Sequence, residues 1–493
     1  MNRRRSLCTL ALLPLAQAAA SPWWQDDRPS PLAVQALALL NQAGSHGLDP
    51  ADYGLPALAD AWLAVPDDAT HAALADTLQA ALMHYLRHLR QGRVDPAVLG
   101  LGFGVPRQDF DPAAALQAAL ALQDLAAAER AAAPALPQYQ HLRQALVQYR
   151  ALAGHPAWAS KLPALPARQL LAQGQTWDGL PLLAALLQAL GDLAPEAKAA
   201  ERLEGELLAA LQRFQGRHGL EPDGVLGRAT LQALEVPPAR RARQLVLALE
   251  RLRWTPLRAA ARMVVVNLPE YRLRAYELQG QGMALRAEMR VIVGQALDRR
   301  TPLLLDSLRR IEFQPYWNVP DAIARRELLP ELRRHPQRWA QDGYEFVGPA
   351  GVDAELSEAK LAELLRGRLR IRQRPGPRNA LGAVKFVFPN RESIYLHHTP
   401  ATALFARSRR DFSHGCIRVE DPAALAAFAL QGQPGWDLAA VRAALADSRP
   451  QTVAVAAPLP VLITYGTALV RAGQVCFFED VYGLDAALDA ALP

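Results

Sequence analysis

The first part of the chain has the hydrophobic spacing of amphipathic helices. Between residues 31 and 149, apolar side chains recur at intervals of three and four, which places them on one helix face. Clusters of proline and glycine at 64–67, 92–106 and 133–137 separate these segments. The pattern predicts a helical scaffold domain over residues 21–160.

A different pattern begins at Met263. Alternating and β-branched residues predict strands at 263–268, 271–276, 289–294, 384–388 and 393–397. Helical spacing returns between the third and fourth of these strands, over residues 320–372. Residues 261–493 are therefore predicted to form a mainly β (α+β) domain with a helical insertion. An insertion of this kind can cover a site as a lid.

Between these regions, residues 161–240 predict a compact helical module, and residues 241–260 a connecting helix. Phe214 shares one helix face with Leu211, and Asp223-Gly224 marks a tight turn. One interpretation is a small helical bundle with a glycine-rich turn. The fold class is thus multidomain, which suits a length of 493 residues at about 150 residues per domain.

The N-terminus accounts for much of the positive charge. Arg3, Arg4 and Arg5 supply half of the net charge of +6, and no acidic residue precedes Asp26. A charged start, a short apolar run and small residues before position 20 predict a secretory signal peptide over residues 1–20. We therefore expect a periplasmic protein, exported by the Sec or the twin-arginine route. The basic pI does not indicate nucleic-acid binding.

The chain contains three cysteines, which is too few for a disulfide framework. Cys8 lies in the predicted signal peptide, so the mature protein would keep Cys416 and Cys476. If residues 414–419 are extended, His414, Cys416 and Arg418 share one face. An imidazole and a guanidinium beside a thiol are expected to lower its pKa toward a reactive thiolate.

His397, nineteen positions before Cys416, could supply the base that covalent catalysis requires. A buried, inert cysteine is one alternative. A zinc site built from His397, His398, His414 and Cys416 is another, but the spacing lacks the regularity of known zinc motifs. We expect no metal and no cofactor.

The Ser-His-Gly-Cys-Ile-Arg run at 413–418, preceded by a strand that ends in histidine, resembles the YkuD-type L,D-transpeptidases. The similarity is closest to their large, multidomain, periplasmic YcbB branch. The module at 161–240 resembles the small peptidoglycan-binding domain, through its Phe-Gln, His-Gly-Leu, Asp-Gly-Val and Thr positions. Further similar stretches lie at 46–53, 92–96, 266–273, 291–294, 315–320, 374–382 and 482–483.

The resemblance implies a role for each residue of the motif. Cys416 would be the nucleophile and His397 its general base, oriented by the backbone carbonyl of His398. The backbone N–H groups of Gly415 and Cys416 would form the oxyanion hole. Arg418 would support the motif and attract a substrate carboxylate.

Three further residues have implied roles around these groups. His414 would shape the site and the charge around the thiolate. Tyr316 and Trp317 would wall the substrate groove, although Trp317 could equally pack in a core. Cys476 is interpreted as a buried strand residue.

The resemblance further implies an enzyme that acts on tetrapeptide stems of peptidoglycan and forms 3→3 cross-links. Its partners would be stem peptides, glycan and carbapenem inhibitors, with other cell-wall synthesis proteins as candidates and no nucleic acid. Two alternatives stay open. One is a hydrolase of the same fold that acts on wall peptides, and the other is a non-enzymatic peptidoglycan-binding scaffold.

Overall fold

The computed structural model describes residues 21–64, 68–103, 109–165, 170–197, 201–256, 260–280, 282–297 and 299–492. The predicted signal peptide lies outside the described residues. The chain divides into two compact units: the first runs to Arg90 and includes Asp109–Ala135, and the second comprises Gln91–Gln108 and Leu136–Pro493. In the part of the chain described, no helix is both long enough and apolar enough to span a bilayer.

The first unit is helical, as predicted. Side-chain caps start several of its helices, because Ser30, Asp111 and Asp124 each accept a hydrogen bond from a first-turn N–H. The unit consists of a hairpin, β1 (Trp24–Gln25) and β2 (Arg28–Pro29), the helices α1 (Pro31–Asn41), α2 (Leu55–Leu63), α3 (Asp68–Gln91), α4 (Pro112–Ala121) and α5 (Leu125–Ala132), and 3-10 turns at Gln42–His46 and Pro50–Tyr53.

The second unit begins with helices α6 (Pro137–Ala151), α7 (Leu180–Ala189), α8 (Gly205–Arg217), α9 (Arg228–Glu235) and α10 (Pro238–Trp254), with a 3-10 turn at Pro156–Trp158. Gln215 holds the predicted binding module together. Its amide donates to Asp223 Oδ1 at 3.1 Å, to the Val225 carbonyl at 2.9 Å and to Thr230 Oγ1 at 3.2 Å. These hydrogen bonds between motif residues therefore stabilise the turn of the module.

Helix α10 lies between the helical module and the first strand of the β domain. Its Glu250 is 1% exposed, pairs with Arg253 at 2.6 Å and accepts the Arg93 N–H at 2.5 Å. Gly92 adopts a φ of +77°, and a Cβ there would lie 2.4 Å from Glu250 Oε1. Only glycine therefore fits where the 92–96 segment approaches the helix.

The β domain contains the strands β3 (Arg262–Asn267), β4 (Arg272–Gln279), β5 (Gly282–Gly294), β6 (Leu304–Phe313), β7 (Trp317–Asn318), β8 (Tyr344–Gly348), β9 (Gly351–Asp353), β10 (Arg370–Gln373), β11 (Val384–Val387), β12 (Leu396–His397), β13 (Asp411–Ser413), β14 (Ile417–Val419), β15 (Gln451–Thr464), β16 (Ala468–Arg471) and β17 (Gln474–Phe477). Nine of these strands form one sheet in the order β13-β5-β14-β12-β11-β6-β15-β3-β4, and a β4–β5 pairing closes it on itself. Helices α15 (Pro422–Leu430), α16 (Leu438–Ala446) and α17 (Leu484–Ala491) complete the domain. The predicted mainly β domain is confirmed.

The insertion is a mixed element rather than a helical one. It carries α11 (Asp321–Ile323), a π-helical turn (Ala324–Leu328), α12 (Leu329–Arg334), α13 (Arg338–Gln341) and α14 (Glu358–Leu365). Strands β8, β9 and β10 also belong to it and form a second sheet with β7. The prediction of a helical insertion accounts for its helices but omits its strands, on which Phe346 and Ile371 pack with Trp339 and Leu361 in a core of the insertion's own.

Candidate active site

Cys416 lies at the entrance to strand β14, immediately after a turn. Gly415 has a φ of +114°, a backbone conformation that residues other than glycine rarely adopt. The extended segment predicted over 414–419 is therefore wrong in its first half, since the strand covers Ile417–Val419. Ile417 and Val419 are fully buried in the core, as predicted.

Two hydroxyl groups fix the turn around Gly415. Thr301 Oγ1 donates to the Gly415 carbonyl at 2.7 Å and accepts the Gly294 N–H at 2.9 Å. Ser413 Oγ accepts the Gly415 N–H at 3.1 Å and donates to the Cys416 carbonyl at 2.5 Å. The Gly415 N–H is thus engaged within the motif, whereas the implied oxyanion hole requires it to face a substrate.

His397 lies on β12, which runs parallel to β14 and next to it. The register pairs Leu396 with Ile417 and His397 with Arg418. Because side chains alternate along a strand, His397 and Arg418 share the sheet face opposite Leu396 and Ile417. Cys416 precedes the strand, and its thiol lies beside Tyr395, whose ring is 5.6 Å from the His397 imidazole.

The imidazole of His397 is buried and oriented by the backbone. Its Nδ1 lies 2.5 Å from the carbonyl oxygen of His398, the contact that the resemblance implied. Since a carbonyl only accepts hydrogen bonds, Nδ1 carries the proton and Nε2 is the acceptor. Burial and the nearby Arg418 lower the pKa of His397 to about 3. The base is therefore neutral near pH 7.

The thiol of Cys416 is protonated in this environment. Burial raises its pKa above the ordinary value, and this effect outweighs the opposing influence of Tyr395, Lys385 and Arg418. The predicted net lowering of the thiol pKa is therefore wrong, although Arg418 acts in the predicted direction. The Nε2 atom of His414 contacts Glu327, at 2.8 and 2.9 Å from the two carboxylate oxygens.

Tyr395 is a site residue that the sequence reasoning missed. Burial and the neighbouring Cys416 thiol raise the pKa of its phenol, while the Trp317 indole opposes that shift. Its ring lies 5.6 Å from that of His397, and Lys385 Nζ lies 4.5 Å from its centroid. The signal was available, because Tyr395 precedes His397 by two residues and so shares its face.

Trp317 and Tyr316, the two aromatic residues expected to line the substrate groove, have different surroundings in the structure. Trp317 is half-buried against the core of the insertion and influences the Tyr395 phenol. Tyr316 is 39% exposed, and the Arg372 guanidinium lies 4.3 Å from its ring centroid. Of the pair, Trp317 is the residue brought toward Cys416.

Arg418 carries a buried polar atom that the protein leaves unsatisfied. Its Nε has no hydrogen-bond partner among the described residues. Burial lowers the pKa of its guanidinium, while the Cys416 thiol opposes that shift. An unsatisfied buried donor is costly, so the atom is suited to receive an anion from outside the chain.

Cys476 and the remaining ligand-type residues lie elsewhere. Cys476 is 1% exposed in strand β17, which confirms its interpretation as a buried strand residue. Within the described ranges, no group of three or more histidine, cysteine, aspartate and glutamate side chains is placed to hold a metal ion.

Three family models match the chain. Residues 261–436 match the YkuD family, described as an L,D-transpeptidase catalytic domain. Residues 16–146 match a family described as a scaffold domain. Residues 179–234 match a family described as "Putative peptidoglycan binding domain".

A named relative and a solved structure are also similar to this chain. A Haemophilus influenzae protein named "Putative L,D-transpeptidase" is 31% identical over 298 residues, which is 58% of this chain and 57% of that protein. The match thus spans little more than half of the relative's length. A solved L,D-transpeptidase (Yku) from Stackebrandtia nassauensis is 13% identical, with 61% of this chain and 96% of that chain covered and a TM-score of 0.25. At such a TM-score the solved structure carries no weight for the fold or the activity.

Proposed function

We propose that the chain is a peptidoglycan L,D-transpeptidase that forms 3→3 cross-links through a cysteine acyl-enzyme, and the matches to the YkuD catalytic-domain and peptidoglycan-binding families support this proposal. One observation carries the proposal. The Cys416 thiol lies beside Tyr395, whose ring is 5.6 Å from that of His397, and the His398 carbonyl turns the imidazole so that Nε2 can accept a proton.

The first step transfers the acyl group of a tetrapeptide stem to Cys416. The neutral His397 takes the thiol proton as Sγ attacks the carbonyl carbon between the third residue, a diamino acid, and the terminal D-Ala. The C–N bond then breaks, and His397 returns the proton to the amine of the departing D-Ala. A thiol with a raised pKa fits this coupled transfer, because no resting thiolate is required.

The second step transfers the acyl group to an amine of another stem. The amine attacks the thioester carbon and His397 accepts its proton. As the C–S bond breaks, His397 passes that proton to Sγ, which regenerates the Cys416 thiol and the neutral imidazole. The new amide is the 3→3 cross-link. Because the Gly415 N–H is bound to Ser413 Oγ, the Cys416 N–H is the donor that we assign first to the oxyanion.

The neighbouring groups have supporting roles in this proposal. The unsatisfied Nε of Arg418 supports a role in receiving a substrate carboxylate. The Tyr395 phenol, beside the thiol, and the Trp317 indole bound the site on one side. A substrate in the cell wall also supports action outside the cytoplasm, in the periplasm after removal of residues 1–20.

Mass spectrometry of muropeptides treated with the purified chain tests the proposal. The expected products are cross-linked dimers and free D-Ala, and Cys416→Ala should give neither. Tripeptides and D-Ala without dimers would favour the hydrolase. An absence of any product, together with binding to isolated sacculi that Cys416→Ala leaves unchanged, would favour the non-enzymatic scaffold.

A further inference from the structure

A carboxylate of the insertion is held directly beside the nucleophile turn. Glu327, in the π-helical turn Ala324–Leu328, has both oxygens within 2.9 Å of His414 Nε2. One of these oxygens also lies 2.8 Å from an Arg299 guanidinium nitrogen. The carboxylate thus accepts from two donors that come from outside the insertion, which is the arrangement of a carboxylate-binding site.

The β domain supplies both donors and positions them independently of Glu327. His414 precedes Gly415, whose carbonyl is anchored by Thr301. Arg299 precedes Thr301 by two residues, and its carbonyl would lie 3.8 Å from a Cβ on Gly415. The two donors therefore belong to segments bound to each other around the turn that presents Cys416.

The three side chains also remain within reach of solvent. The exposed fractions are 33% for His414, 40% for Glu327 and 30% for Arg299. A half-exposed ion pair contributes little stability. An incoming carboxylate can therefore displace Glu327 without a large energetic penalty.

We infer that His414 and Arg299 bind the terminal carboxylate of the donor stem peptide, and that Glu327 fills this site in the free enzyme as an internal substitute. This inference rests on the proposed function and names a binding site within it. The terminal carboxylate belongs to the D-Ala that leaves in the first step, so it must lie close to Cys416. Displacement of Glu327 by substrate then couples donor binding to release of the insertion from the nucleophile turn.

Binding measured without turnover tests the inference. Isothermal titration calorimetry on Cys416→Ala would use a tetrapeptide stem with a free terminal carboxylate and the same stem with a terminal amide. Adding Glu327→Ala should tighten binding of the free-carboxylate stem roughly fivefold, which is the scale of one half-exposed ion pair. The affinity for the stem with a terminal amide should change by less than about twofold. Arg299→Gln in the same background should weaken binding of the free-carboxylate stem and leave the affinity for the amide stem unchanged.

Glu331→Gln is the matched control, because Glu331 lies in the same insertion and pairs with Arg338 instead of the motif. It should leave binding of both stems unchanged. An equal gain for both stems with Glu327→Ala would overturn the inference and show that Glu327 only restricts access. No gain for the carboxylate stem would overturn it as well. Because binding is read in Cys416→Ala, these outcomes are distinct from a wild-type enzyme that yields no product, which would refute the proposed function alone.

Discussion

Replacement of Thr301 by valine removes the hydroxyl that anchors the nucleophile turn. Thr301 is 2% exposed, and its hydroxyl bonds the Gly415 carbonyl at 2.7 Å and the Gly294 N–H at 2.9 Å. Valine keeps the shape of the side chain but offers neither a donor nor an acceptor. The substitution therefore leaves a buried carbonyl and a buried N–H without these partners.

The magnitude follows from those two groups. An unsatisfied buried polar group costs about 1–3 kcal/mol, so the pair should lower the local free energy of opening by about 2–6 kcal/mol. That change corresponds to a factor of roughly 30 to 20,000 in the opening equilibrium. Since Gly415 precedes Cys416, the catalytic rate constant should fall together with the protection of this region.

Hydrogen exchange followed by mass spectrometry provides the assay. Peptides that contain Gly294 and Gly415 should lose protection in Thr301→Val. Thr301→Ser keeps the hydroxyl and removes only a methyl group, at a cost of about 1 kcal/mol. If serine and valine reduced protection equally, the two hydrogen bonds would not be what fixes the turn, and the reasoning would be refuted.

Three further predictions concern charge and burial. Alkylation of Cys416 by iodoacetamide should still accelerate above pH 9, because burial raises its pKa from 9.0; a plateau below about pH 8 would contradict this. Because the pKa of His397 is lowered to about 3, acylation should not fall as pH drops from about 7 to about 5, and a loss near pH 6.5 would mean an ordinary imidazole. Glu250→Gln removes the buried carboxylate charge that faces Arg253 at 2.6 Å and should destabilise the protein by about 3–5 kcal/mol in thermal unfolding. Exposed Glu235→Gln should have little effect, and equal shifts in the two variants would contradict the account.

Much of the architecture follows from local sequence pattern. Helical spacing predicts the scaffold, and β-branched alternation predicts the sheet that carries the site. Alternation also places Arg418 on one face and the buried Ile417 and Val419 on the other. These are short-range properties, because the side-chain period of a strand or helix depends on neighbouring residues alone.

The features that the sequence patterns did not predict correctly depend on tertiary contacts. The pKa of Cys416 depends on how much protein covers it, which no spacing reveals. The contact between Glu327 and His414 joins residues 87 positions apart. The strands of the insertion were missed because they are short, at five, three and four residues, and packing against Trp339 stabilises the insertion's core.

Intact-mass analysis of the purified chain after incubation with a carbapenem tests the central claim most directly, which is that Cys416 forms a covalent acyl-enzyme. One acyl adduct is predicted on the wild type and on Cys476→Ala, and no adduct on Cys416→Ala. Peptide mapping should place the adduct on Cys416. An unmodified wild type, or the same adduct on Cys416→Ala, would contradict the account.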